Sequence, residues 1–227
     1  MKVIQQGLVL PILPTLTTIT KRNPKHNNLF PNSVRCIICG PSGSGKSTAV
    51  ISLLLGENGV KFENLYIFSK SLFQPLYKLL ESIIQQIKEI GFYVFTRYED
   101  LVQPEEAKPN SVFIFDDVAW EEQNKILSFF SMGRHRDLDV FYLTQSYARL
   151  PKHLLRDNAS MLVVFKQDNL NLKHIFEDHV ISDMSLTDFQ KLCQMCWKQK
   201  NGFLTIYKDN DLNHGRYRQN FDKFICI

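Results

Sequence analysis

"VRCIICGPSGSGKSTAVISLLL", residues 34–55, holds three kinds of backbone in succession. Residues 34–39 form an apolar, β-rich run, the make-up of a buried strand. Residues 40–48, "GPSGSGKST", set glycines and small hydroxyls around one lysine, and a helical stretch runs on from 46 to 55. A strand feeding a G-x-x-x-x-G-K-[ST] loop that opens a helix is the context of a phosphate-binding loop. Its glycines let successive N–H groups turn inward toward phosphate oxygens, where the helix N-terminus adds positive potential. Gly40, Pro41, Ser42, Gly43, Ser44, Gly45, Lys46, Ser47 and Thr48 are therefore expected to cradle ATP. Lys46 reaches for the β- and γ-phosphates, and the Ser47 hydroxyl for Mg2+.

Working outward, short β-branched or aromatic runs alternate with longer helical patterns, the signature of a mainly parallel sheet wrapped by helices. Strands are predicted at 34–39, 65–69, 93–95, 111–115, 139–144, 161–165 and 203–207. Helices are predicted at 46–55, 72–90, 120–132 with a stop at Gly133, 170–180, and 185–197 capped by Ser185. The expected class is an α/β P-loop NTPase, with a mainly parallel sheet and helices on both faces. Residues 1–30 read as an N-terminal extension and 31–227 as a single ATPase domain, since 227 residues leave little room for a second core.

Composition excludes other classes. Hydrophobic residues at 44% and charged ones at 22% describe neither a disordered nor a fibrous chain. The apolar opening is cut by Gln5, Gln6, Pro11 and Pro14, and no run reaches the roughly 20 residues of a membrane span. The expectation is an intracellular protein with no membrane partner. Net charge is +4, yet residues 1–35 carry Lys2, Lys21, Arg22, Lys25 and Arg35 with no acid. That asymmetry fits a DNA-facing surface or a solvated tail. Two Cys-x2-Cys pairs look like half zinc sites. Cys36 and Cys39, however, point to opposite faces of a strand, and Cys193 with Cys196 supplies two ligands of the four required. Reduced core cysteines are the expectation.

"SVFIFDDVAW", 111–120, delivers two carboxylates to a strand's C-terminal edge, where ligands of such sheets sit. Asp116 is placed to hold magnesium, and Asp117 to orient and deprotonate the attacking water; the alternative is an acidic pair capping the next helix. Gln145 follows the apolar "VFYLT" and emerges at the same edge, either as a γ-phosphate sensor or in a strand-end hydrogen bond. Arg134, in "GRHR", lies between a helix and that strand, at the opposite edge. It serves either as an arginine finger toward a neighbour's nucleotide or as a charge at a helix C-terminus. Arg149 and Arg156 return to the nucleotide edge as lesser candidates. The tail "GRYRQNFDKF", 215–224, interleaves basic and aromatic residues as single-strand binders do, although a solvated edge strand is the preferred reading.

"GPSGSGKST", "VFIFDD" and "GRHRDLDVFYLTQSYARLPKHLLRDNASMLVVF" together resemble the viral DNA-packaging ATPases of the FtsK/HerA superfamily, the poxvirus-type motors also found in virophages and polinton-like elements. The resemblance spans about residues 34–166. It implies a RecA-like ATPase that assembles as a ring and drives double-stranded genomic DNA, without sequence specificity, into a preformed viral capsid at the site of virion assembly. It carries nucleotide, magnesium and sensor roles onto Lys46, Ser47, Asp116 and Gln145, and the finger role onto Arg134. Asp117 stands where many relatives carry Glu. A small-molecule kinase, or a nucleotide-dependent switch in capsid assembly, shares the loop and the Mg2+ site and is the alternative.

Overall fold

The computed structural model describes residues 25–27, 30–116, 118 and 123–227. Its strands are β1 (Arg35–Cys39), β2 (Asn64–Ser69), β3 (Gly91–Phe95), β4 (Ser111–Asp116), β5 (Asp139–Thr144), β6 (Met161–Val164), β7 (Leu204–Tyr207), β8 (Tyr217–Gln219) and β9 (Lys223–Ile225). They join in one sheet of nine, in the order β3-β2-β4-β5-β1-β6-β7-β8-β9. From β3 through β6 every neighbour is parallel, and β7, β8 and β9 add on antiparallel.

The helices are α1 (Lys46–Leu55), α2 (Pro75–Ile84), α3 (Gln123–Arg136), α4 (Asn169–His179) and α5 (Leu186–Cys196). Side chains alternate across each strand, so the sheet carries two cores. Cys36, Ile38, Ile67, Ile114 and Leu143 pack with α1 and α2 on one face. Ile37, Cys39, Phe68, Phe115 and Tyr142 pack with α3, α4 and α5 on the other. Cys36 and Cys39 thus face opposite layers, as the strand period requires, and burial pushes the Cys39 thiol up to about 12.

Three helix ends differ from the periodicity. α2 begins at Pro75, which sits at the first helical turn and holds the preceding Gln74 extended at ψ 139°. Beyond Ile84 the chain steps down in three-residue turns, with Gln86 N–H bonded to Ile83 O and Ile87 N–H to Ile84 O, so 85–90 is not α-helical. α3 runs through Gly133 to Arg136. The left-handed stop falls at Asp137, φ 54°, and Leu138 N–H closes back on Gly133 O at 3.0 Å. That six-residue closure is a Schellman end with aspartate in the place glycine usually takes. The predicted start at Trp120 lies outside the described residues. α5 begins as predicted, Ser185 Oγ accepting from Asp188 N–H.

The basic-aromatic tail folds back as the β8–β9 hairpin. Arg218 is 1% exposed, its guanidinium 4.1 Å from the Tyr207 ring centroid and 4.6 Å from that of Phe224. This arginine is held inside the fold by two aromatic faces, which removes it from any solvated or nucleic-acid-facing strip.

Candidate nucleotide site

β1 ends at Cys39 and the phosphate loop starts at once. Gly40 N–H donates to Thr144 O at 3.1 Å, tying the loop to the end of β5. A Cβ at Gly40 would lie 2.7 Å from Phe165 Cβ, so only glycine fits the close approach. Gly45, φ 101°, takes the left-handed turn that opens α1. Among the described residues no side chain caps α1 and its first turn carries no acid. Its first N–H groups and the positive end of its dipole therefore point at the loop. Lys46 Nζ donates to Gly40 O at 2.8 Å and Pro41 O at 3.0 Å, which folds the lysine along the rim of the cradle.

The strand order sets what faces this cradle. β4, β5 and β1 are adjacent, so their C-terminal ends bring Asp116, Gln145 and the phosphate loop side by side. Asp116, 8% exposed, accepts at Oδ2 from Ser47 Oγ at 3.1 Å. Gln145 is exposed and lines the same cleft, of about 760 Å³, with Ser42, Gly43, Lys46, Ser47, Thr48 and Asp116. Hydroxyl and carboxylate are hard oxygen donors, and Mg2+ takes one or two from protein and the rest from phosphate and water. The Ser47–Asp116 pair fits that ion, and no cluster of three His, Cys, Asp or Glu side chains placed to hold a metal occurs among the described residues.

The turn that carries Gln145 is anchored at its other side. Asn171, 5% exposed, accepts at Oδ1 from Ser146 Oγ at 3.2 Å and Ala148 N–H at 2.8 Å. Its own amide donates to Asp168 Oδ2, the residue that caps α4. Arg149 stays exposed and lines the cleft. Arg156 does not return to the nucleotide edge. It is buried, bonded through Nη1 to Asp178 Oδ2 at 2.6 Å, with its guanidinium over the Tyr147 ring. Arg134 lies in the last turn of α3, which leads into the start of β5, the end of the sheet away from the cleft; its side chain and the whole of Asp117 lie outside the described residues.

Sequence reasoning missed three groups. Tyr77 of α2 donates its hydroxyl to Asp116 Oδ2. Ser71 and Gln74, between β2 and α2, wall one side of the cleft. Asn201, in left-handed conformation at φ 59°, comes from the α5–β7 connection to lie beside Gly45 on the other. The Asn-Gly pair at 201–202 is a turn signal, but nothing local ties that turn to residue 45.

Phosphate loop, strand-end carboxylate and an intervening strand followed at once by glutamine define a P-loop ATPase. The chain belongs to the family of the poxvirus A32 protein, whose model matches residues 21–222, and with it to the viral DNA-packaging ATPases. Among solved structures it is similar to the genome packaging NTPase B204 of Sulfolobus turreted icosahedral virus 2 bound to sulfate. That match has a TM-score of 0.58 at 15% identity, covering 87% of this chain and 100% of that one. The same NTPase with ATP-gammaS matches at a TM-score of 0.55 and 15% identity, over 86% of this chain and 100% of that one. B204 of Sulfolobus Turreted Icosahedral Virus, a DNA-packaging ATPase, matches at 0.53 and 17% identity, over 79% and 94% of the two chains. No curated protein matches the chain in sequence.

Proposed function

We propose that the chain hydrolyses Mg-ATP in this cleft as one subunit of a ring that drives double-stranded DNA, without sequence preference, into a preformed capsid. The convergence of Lys46, Ser47, Asp116 and Gln145 at the ends of three adjacent strands carries the reading. ATP lies with its phosphates on the loop 40–48. Lys46 exchanges its two carbonyl partners for β- and γ-phosphate oxygens, trading two contacts to neutral acceptors for two to charged ones. Ser47 and Asp116 would hold magnesium, which would supply neutralisation of the phosphate charge. Asp117 takes a proton from the attacking water. Gln145, on a turn fixed by Asn171, reads whether the γ-phosphate is present and passes the change to 146–149.

Arg134 is assigned to the neighbour's site, because its place in α3 is at the far end of the sheet. Residues 31–227 form one ATPase domain on this reading, and residues 1–30 its extension. Lys25 and His26 fasten the end of that extension to the far edge of the sheet through Asp139. No helix among the described residues is long and apolar enough to cross a membrane. On this reading the motor works inside the host cell where virions assemble.

The test is ATP turnover with and without long duplex DNA. Unrelated duplexes should stimulate turnover alike, and stimulation should fall steeply with salt as phosphate contacts release counterions. Lys46→Ala should remain folded and abolish turnover in both conditions. Equal rates with and without DNA, or strong preference for one short sequence, would contradict the motor.

A further inference from the structure

Asp116 is engaged in the cleft from two sides. Ser47 approaches from α1 and Tyr77 from α2, and both hydroxyls donate to the same oxygen, Oδ2, at 3.1 and 2.5 Å. Two donors on one oxygen fix the rotation of the carboxylate about its Cβ–Cγ bond. The other oxygen is then the one left for a metal's water shell. Tyr77 is itself rigid. It is 4% exposed and shares its helix face with Leu80 and Ile84, all three packed into the core beneath α1 and α2. Pro75 fixes where α2 begins, two residues before it. A phenol set this firmly, with its polar end on a carboxylate rather than at the surface, has a use that packing alone does not require, because phenylalanine would fill the same space.

We propose that Tyr77 is a positioning residue for the Mg-ATP reaction, orienting the Asp116 carboxylate for the metal through a hydrogen bond to Oδ2. This rests on the reading that Ser47 and Asp116 hold magnesium. An outer partner that orients a ligand is commonly worth ten- to a hundredfold in metal affinity or activity. Its loss should therefore act on the metal rather than on the nucleotide.

Tyr77→Phe retains the ring and removes the bond. Mn2+ titrated calorimetrically into protein saturated with a non-hydrolysable ATP analogue should bind about tenfold more weakly than in the wild type, with the Mg2+ requirement of turnover raised in parallel. Affinity for the analogue in EDTA should be unchanged. Metal affinity equal to the wild type, with only a lowered melting temperature, would make Tyr77 structural and overturn the proposal. A wild-type enzyme that turns over without any divalent cation would overturn the magnesium reading instead. A second measurement keeps the native hydroxyl: with 3-fluorotyrosine at position 77, the 19F signal should move when Mg2+ is added to the nucleotide-loaded protein. A signal indifferent to Mg2+ would equally refute the role.

Discussion

His179 closes α4 in a buried corner where its Nε2 lies 2.6 Å from the Tyr147 hydroxyl. Burial, with the nearby Lys208 charge, pushes its pKa down from 6.5 to about 3. The folded protein thus leaves the ring neutral at pH values where the unfolded chain protonates it. Because the unfolded state binds the extra proton, this group's contribution to stability is complete above pH 6.5 and declines as pH falls toward 3. From pH 7 to pH 5 the decline is about 2 kcal/mol. Urea unfolding across that range should show it, and His179→Gln should flatten the dependence by that amount; an equally steep profile in the variant would contradict the buried neutral ring. At this scale, Lys46, Ser47 and Asp116 were legible in sequence because their chemistry is written in contiguous motifs. Tyr77, Asn171 and Asn201 were not. Each reaches the site from a helix or turn whose own pattern reports only its burial or its turn.

Among elements, β1 to β7 and the helix-opening loop were legible because their apolar runs are continuous and bounded by turns, but β8 and β9 were not among the predicted strands, and helix ends were set by single residues and contacts that the hydrophobic period does not encode. The α3 end at Asp137 and the α2 start at Pro75 are of that kind. The first residue of β5 shows how such a contact operates. Asp139 is fully buried and accepts from Val34 N–H at 2.8 Å, Lys25 Nζ at 2.6 Å and His26 Nε2 at 3.2 Å. His26 in turn accepts the Lys61 N–H at its Nδ1, so the ring proton falls on Nε2, toward the carboxylate. One carboxylate thereby joins β5, the approach to β1 and the segment at 25–26. Removing its charge leaves a nearly buried ammonium without its counter-charge, with the neutral Asp137 carbonyl still accepting from it, a change that costs about 3 kcal/mol. Asp139→Asn should lower the denaturation midpoint accordingly while ATP-analogue affinity of the folded variant stays unchanged, since the cleft is at the other end of β5. A variant as stable as the wild type, or one that loses nucleotide binding while folded, would contradict this assignment.

For the whole molecule, the parallel part of the sheet was legible from the alternation of strands with helical patterns, but the direction of β7 was not. Two helices, α4 and α5, separate β6 from β7, so the chain has crossed the sheet twice and β7 must run antiparallel. The same counting places Arg134. The chain leaves β4 at the cleft, descends α3 and enters β5 at the far end, which puts residue 134 about 20 Å, one strand length, from its own phosphates. A guanidinium there serves catalysis only in trans. Arg134→Ala should bind ATP normally and lose turnover by about 10³-fold. A helix-end charge alone would cost about 0.3 to 1 kcal/mol of stability and leave turnover intact. Mixing decides between them. Arg134→Ala subunits keep an intact cradle and Lys46→Ala subunits keep an intact finger, each inactive alone. Where the first type presents its nucleotide to the second type's arginine, a complete site forms, so ATPase activity should reappear in mixed rings. The opposite order joins a defective cradle to a defective finger and contributes nothing. Mixed assemblies verified by mass that show no recovered turnover would confine Arg134 to its own helix.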